Sequence, residues 1–128
     1  MSKINLEKRN CDSLQQLYKN PAPIYSIETD NPDYCYSLRD YYIKTAYNCC
    51  ATGAYKNDFV SICALEDCIR QGARCLDFEI YSVDNAPVIS VSPIDNYNVK
   101  GSYNSIPFVT ALKTIEQNAF HGLSNCPN

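Results

Sequence analysis

Apolar residues recur through the middle of the chain with two different periods, which separates predicted strands from predicted helices. Residues 41–46 form a run of aromatic and branched side chains that is typical of a first strand. From residue 59 onwards apolar side chains follow helical spacing, so we predict a helix that Asn57 or Asp58 caps and that Gly72 ends.

Residues 74–81 alternate with period two and are predicted to form a second strand. Asp77 and Glu79 share one face of this strand, whereas Leu76, Phe78 and Ile80 share the other. In a one-sided sheet the two acids would lie in water, whereas in a barrel they would lie at the mouth of the interior. The pattern allows both arrangements.

The remaining elements follow from turn and cap residues. They are a turn at Asp84 and Asn85, a third strand over 87–91, a polar loop over 92–104 and a last helix. Ser105 is predicted to cap this helix, Pro107 to lie in its first turn, and His121 and Gly122 to end it. The order strand, helix, strand, strand, helix favours an α/β fold.

The first 36 residues have a different character. Helix-breaking residues cluster at 20–23 and 30–33, and only residues 13–18 have a short helical pattern, with Asp12 or Ser13 as its cap. We therefore interpret residues 1–36 as an N-terminal extension that is not a core element.

Composition and charge exclude several classes of function. The formal net charge of −3 and the pI near 5.0 provide no basic surface for nucleic acid. The sequence has no apolar stretch long enough for a transmembrane segment and no signal-peptide pattern, so we expect a protein that is not secreted. Its 4 glycines are too scattered for a nucleotide-binding loop.

Cysteine is unusually frequent, with 8 residues. Cys63, Cys68 and Cys75 lie in apolar runs, which favours reduced thiols that pack as small hydrophobes, although the sequence does not fix the thiol state. The spacing does not match the paired cysteines of zinc sites. Cys49 and Cys50 could be redox-active, but neighbouring cysteines close a strained ring.

Several segments in order resemble the X half of phosphoinositide-specific phospholipase C. These segments are 40–43, 47–48, 68–79, 87–89, 106–108 and 119–120. The family fold is a TIM-like barrel, of which this stretch would supply the first few βα units. The resemblance thus implies an α/β, partial TIM-barrel-like fold, with the N-terminal extension over 1–36 and a partial phospholipase C X-like domain over 37–128.

The resemblance also implies that the catalytic histidines of the family are replaced in this chain. The family uses two histidines for acid–base and transition-state roles, and their positions correspond here to Tyr47 and Val91. Neither side chain can exchange a proton near neutral pH as an imidazole does. His121 would lie at the end of the last helix, away from a barrel site. We therefore expect a pseudoenzyme with no catalytic residues.

The calcium site of the family is only partly retained. The resemblance places Asn48, Asp77 and Glu79 at ligand positions, so a residual calcium site is one interpretation. The other is a polar remnant whose acids bond to neighbouring side chains, and we expect no cofactor.

A closer resemblance, over 47–53, 76–82 and 103–108, is to histidine-less phospholipase C-like proteins of large double-stranded DNA viruses. It implies a structural or interaction protein, a minor component of the capsid or virion, located in the virion or host cytoplasm. Its partners would be other protein subunits that cover an unpaired sheet edge. The alternative is a calcium-dependent phosphodiesterase with rewired chemistry that uses Asp77 or Glu79. A lipid-headgroup binder is disfavoured because these residues are acidic.

Overall fold

A computed structural model describes residues 3–20, 32, 35–53, 57–93 and 100–119. The described elements are helix α1 (Lys3–Leu17), a short 3-10 turn (Leu38–Asp40), strand β1 (Thr45–Ala46), helix α2 (Ile62–Arg70), strands β2 (Cys75–Leu76), β3 (Glu79–Val83), β4 (Ala86–Ser90) and β5 (Ile106–Pro107), and helix α3 (Phe108–Asn118). The fold is mixed α/β, as the order of elements predicts. The described strands form two small open sheets and no closed barrel.

The two sheets differ in strand direction. β1 pairs with β2 in parallel, with Thr45 opposite Cys75, whereas β3, β4 and β5 form an antiparallel sheet in that order. The single strand predicted over 74–81 is therefore wrong, because the chain leaves β1 after Leu76 and pairs with β4 from Glu79. Only the last two residues of the strand predicted over 41–46 are extended in a sheet.

The turn predicted at Asp84 and Asn85 is confirmed. Both residues have positive φ angles, 51° and 61°, and they close a two-residue hairpin between β3 and β4. Asp and Asn tolerate this left-handed backbone better than other side chains, and such turns match the twist of the flanking strands. The hairpin fixes the register, so Glu79 lies opposite Ser90 and Ile80 opposite Ile89.

Helix α2 begins later than the cap residues predict. Asn57 has a φ of 57° and Val60 forms a β-bridge with Ala51, so the helix starts after Ser61. The loop before the helix is held by tertiary contacts, because Val60 is fully buried and its backbone bonds to Asn104. The predicted end is confirmed, since α2 ends before Gly72, which has a φ of 86°.

Helix α3 also begins later than predicted. Ser105 does not cap it, and Pro107 lies in β5 instead of the first helical turn, because Ile106 and Pro107 pair with β4. The predicted helix end at His121 and Gly122 lies outside the described residues.

The hydrophobic core lies where α2 and α3 pack against the antiparallel sheet. Its members include Cys49, Cys50, Val60, Leu65, Ile69, Ile89, Val91, Ile106 and Ala111. One row of side chains crosses the sheet from β3 to β5, with Ile80 53%, Ile89 1% and Ile106 7% exposed. The apolar face of the sheet therefore continues onto β3, where it becomes half exposed.

The N-terminal segment forms a longer helix than the sequence predicts. Asp12 and Ser13 do not cap a short helix but lie inside α1. A disulfide bond between Cys11 and Cys63 joins α1 to α2, and the side-chain amide of Asn10 donates to Asp58 Oδ1 at 2.9 Å. The expectation that Cys63 is a reduced core thiol is thus wrong, because α1 brings a second cysteine to it.

Exposure also differs from expectation at Cys75, which lies on the surface. Its place in an apolar run predicts a packed side chain, and this prediction is wrong. In the two-residue strand β2, Cys75 is exposed and Leu76 is partly buried, so the side chain of Cys75 points outward.

Within the described ranges, no helix combines the length and apolar character needed to cross a membrane.

Candidate functional site

Three of the predicted site residues meet where the two sheets adjoin. Asn48 follows β1 in a tight turn and has a φ of 46°, Asp77 follows β2, and Glu79 begins β3. Because β1 and β2 are parallel, the segments that leave them start at the same edge of the sheet. The fold therefore brings the amide and both carboxylates together, although Asn48 is 29 residues from Asp77 in sequence.

Asn48 contacts both acids. Its side-chain Nδ2 donates to Glu79 Oε1 at 2.7 Å, and its backbone N–H donates to Asp77 Oδ2 at 3.4 Å. The backbone N–H of Cys49 donates to the carbonyl oxygen of Asp77 at 3.2 Å. These bonds fix the turn after β1 against the segment that links β2 to β3.

The second oxygen of Glu79 is also occupied. Oε2 accepts hydrogen bonds from the backbone N–H of Ser92 at 2.8 Å, from the Ser92 hydroxyl, and from the Tyr81 hydroxyl at 3.4 Å. Burial by itself would raise the pKa of Glu79, but the bonds from Ser92, Asn48 and Tyr81 outweigh it, so the pKa is lowered. Glu79 is therefore an ionised carboxylate held by protein donors.

A buried polar layer continues from this network. The hydroxyls of Ser90 and Ser102, both buried, share a hydrogen bond. Asn104 makes two bonds to the backbone of Val60, as acceptor at 2.9 Å and as donor at 2.8 Å. These contacts tie the segment after residue 100 to β4 and to the loop before α2, and they satisfy polar groups that lie next to the core.

The positions that the resemblance assigns to the two histidines lie in different surroundings. Tyr47 is 59% exposed on the surface, whereas Val91 is 1% exposed and belongs to the hydrophobic core. Val91 has no group that could exchange a proton. Tyr47 precedes Asn48 in the turn after β1, so the network of Asn48 and Glu79 has no imidazole at either position.

In this structure the groups around Glu79 are arranged for hydrogen bonds between protein groups. Asn48 presents its N–H group to Glu79, whereas calcium would need its oxygen. Asn48 Oδ1 is buried and has no hydrogen-bond partner in the described part of the chain. Over the same residues, no three His, Cys, Asp or Glu side chains are grouped so that they could hold a metal ion.

The thiol of Cys49 is not a reactive thiolate. Cys49 and Cys50 are both buried. A hydrogen bond with Cys50 and burial raise the pKa of the Cys49 thiol far above its ordinary value, and burial raises the pKa of Cys68 to about 11. Thiols in such surroundings stay protonated near neutral pH, and protonated thiols are poor nucleophiles.

Sequence reasoning missed Ser92 and Tyr81 as partners of Glu79. A signal for them was present, because a two-residue turn at Asp84 and Asn85 fixes the pairing of the whole hairpin. That register places Ser90 opposite Glu79, and Ser92 follows on the same side of the strand. Tyr81 shares the face of Glu79 by simple alternation.

The sequence matches no protein-family model, and no curated protein is significantly similar to it. Its resemblance to the phospholipase C X half therefore stays a prediction from the residues.

Proposed function

We propose that the chain is a catalytically inactive phospholipase C X-like module that acts as a structural or interaction protein, as a minor component of the capsid or virion of a large DNA virus. The observation that carries this proposal is the burial of Val91, which is 1% exposed within the core. A general acid or base at that position would have to reach the substrate through a hydrogen bond, and valine in the core supplies neither acid nor base.

The hydrogen bonds of Glu79 support the same proposal. Four groups of the protein donate to its carboxylate, one each from Asn48 and Tyr81 and two from Ser92. A calcium ion would have to displace them and turn the Asn48 amide around. We therefore derive no catalytic step through calcium, and we assign Glu79 a role in holding the turn after β1 against the hairpin.

Exposed apolar side chains support an interaction role. The rings of Phe78 and Phe108 lie 6.1 Å apart and join the start of β3 to the start of α3. On the same two elements, Ile80, Val109 and Leu112 are 53%, 57% and 48% exposed. We call these three residues the β3–α3 surface. Among the described strands β3 lies at the edge of its sheet, and exposed edges with apolar neighbours favour pairing with another protein.

One observation favours the alternative, a calcium-dependent phosphodiesterase. Asn48 Oδ1 is buried without a partner in the described residues, and the exposed Asp77 carboxylate lies beside the same residue. Rotation of the amide would bring its oxygen toward Glu79, as a cation would require. A turnover assay separates the two functions.

The assay measures hydrolysis of phosphatidylinositol and of a simple phosphodiester at high protein concentration, with millimolar calcium and with a chelator. We expect no turnover above the protein-free rate in either condition. Asp77→Asn tests the site, and Asp84→Asn in the hairpin turn is the control with the same change of charge. Calcium-dependent turnover that Asp77→Asn abolishes and Asp84→Asn retains would overturn the proposal.

The interaction role is tested by affinity capture from purified virions or infected-cell extract. We expect the wild-type chain and Thr110→Asp, an exposed change on α3, to retain the same virion protein. Ile80→Asp, in the β3–α3 surface, should lose it. Absence of the chain from purified virions, or equal capture by all three proteins, would contradict the assignment.

A further inference from the structure

Helix α1 is joined to α2 by a disulfide bond that lies outside the hydrophobic core. Cys11 is near the middle of α1, Cys63 is in the first turn of α2, and their Cα atoms are 5.9 Å apart. Both cysteines are partly exposed, and neither belongs to the core. The bond therefore lies near the surface, where thiols in solution react with it more readily than with a buried disulfide.

Apolar burial contributes little to the attachment of α1. From Leu6 to Leu17 every side chain of this helix is at least partly exposed. Leu14 and the following Tyr18 line an open cleft of about 260 Å³ between α1 and α2, so the two helices are not closely packed there. In the described part of the chain, the core and the apolar side chains packed against it all come from residues 46–119. The described core thus includes no residue of α1.

The polar contacts of α1 with the rest of the fold are weak ones. Asn10 Nδ2 donates to Asp58 Oδ1 at 2.9 Å and to Thr52 Oγ1 at 3.2 Å, and Gln71 Nε2 donates to the carbonyl oxygen of Tyr18 at 3.3 Å. Water competes for hydrogen bonds at the surface, so each adds only modestly to stability. A helix of this length is marginal in water on its own, and α1 has no acid in its first turn or base in its last turn.

We propose that the bond between Cys11 and Cys63 is a redox-sensitive switch, whose reduction releases α1 from α2 while the core within residues 46–119 stays folded. The reductant is a dithiol of the kind that keeps thiols reduced inside cells. In the oxidised chain α1 lies over the side of α2 that carries Ala64 and Cys68, which line the cleft. Release of the helix opens this side of α2 to solvent. The proposal does not depend on the function assigned above.

The position of Cys63 in α2 favours one direction of this reaction. A thiolate of the dithiol attacks Cys11 Sγ, the bond to Cys63 breaks, and a mixed disulfide between Cys11 and the reductant forms. Cys63 leaves as a thiolate in the first turn of α2, where the helix dipole stabilises negative charge. The second thiol of the reductant then displaces Cys11 and closes a disulfide within the reductant. Each cysteine takes up one proton, so the two electrons of the reductant end on the cysteine pair.

The test measures amide hydrogen exchange of the ¹⁵N-labelled chain without denaturant, first oxidised and then with dithiothreitol. We expect the α1 amides near Cys11 to exchange at least about tenfold faster in the reduced chain, because the bond no longer restricts the helix. The amides of Leu65 in α2 and Ile89 in β4, both in the core, should remain protected in both conditions. Reoxidation of the chain should restore slow exchange in α1.

Two variants assign the effect to this bond and not to another cysteine. The double variant Cys11→Ala/Cys63→Ala should exchange as the reduced wild type does, with and without dithiothreitol. Cys75→Ala, which removes an exposed cysteine that forms no disulfide, is the matched control and should respond to dithiothreitol as the wild type does.

The proposal fails if the α1 amides of the reduced wild type exchange as slowly as those of the oxidised chain, because other contacts would then hold the helix. It also fails if Leu65 and Ile89 lose protection together with α1, because reduction would then unfold the whole chain. If the double variant does not fold, the comparison of oxidised and reduced wild type decides by the same two criteria.

Discussion

Removal of the disulfide bond between Cys11 and Cys63 should destabilise the chain strongly. The two cysteines are 52 positions apart in sequence, and the bond joins α1 to α2. Closing a loop of that length restricts the unfolded chain and contributes about 4 kcal/mol of stability. With a denaturant slope of about 2 kcal/mol/M in urea, the double variant Cys11→Ala/Cys63→Ala should unfold at about 2 M lower urea.

The assay is equilibrium urea unfolding of the oxidised chain, followed by circular dichroism. Cys75→Ala, which removes an exposed cysteine that forms no disulfide, is the control and should shift the midpoint little. Adding a dithiol reductant should bring the wild type to the midpoint of the double variant and leave the double variant unchanged. Equal midpoints for the oxidised wild type and the double variant would refute the cross-link between α1 and α2.

The remaining predictions concern the site, the core and the hairpin, and each is measured as the free energy of unfolding in urea. Glu79→Gln should cost about 2 kcal/mol because it weakens charge-assisted hydrogen bonds, whereas Asp84→Asn should change little. Folding lowers the pKa of Glu79, so the ionised side chain stabilises the fold at pH values above its unfolded-state pKa. This stabilisation is lost as the pH falls through the folded-state pKa. If the stability of Glu79→Gln fell with acid as steeply as that of the wild type, the assignment would be contradicted. Leu65→Ala, which empties a fully buried position, should cost about 3 kcal/mol, and Leu112→Ala, at a position 48% exposed, should cost much less. Asn85→Ala should cost about 1 kcal/mol because its φ of 61° disfavours residues other than glycine, asparagine and aspartate, and an unchanged midpoint would argue against the hairpin turn.

The sequence correctly predicts two local features, one turn and one helix end. The hairpin turn at Asp84 and Asn85 and the end of α2 before Gly72 depend on backbone angles that few residues adopt. Those preferences act within a few residues and are visible in the sequence. The starts of α2 and α3 were not predictable in this way, because Val60 pairs with Ala51 and Ile106 pairs with Ile89, and these pairings keep both residues out of the helices.

The residues of the candidate site were easier to predict from the sequence than the hydrogen bonds between them. The resemblance grouped Asn48, Asp77 and Glu79, and the structure brings them into contact. The partners Ser92 and Tyr81 follow from the hairpin register, which no single motif contains. The disulfide could not be predicted from the sequence. The short helical pattern over 13–18 does not indicate a longer N-terminal helix that places Cys11 beside Cys63.

The claim that protein donors, and not a calcium ion, occupy the Glu79 carboxylate is tested most directly by calorimetry of the oxidised chain. Thermal unfolding is measured with millimolar calcium and with a chelator, since an ion that binds the folded chain raises its Tm. We predict the same Tm in both conditions for the wild type and for Asp77→Asn. A calcium-dependent rise in Tm that Asp77→Asn removes and Asp84→Asn retains would contradict the claim and favour the phosphodiesterase.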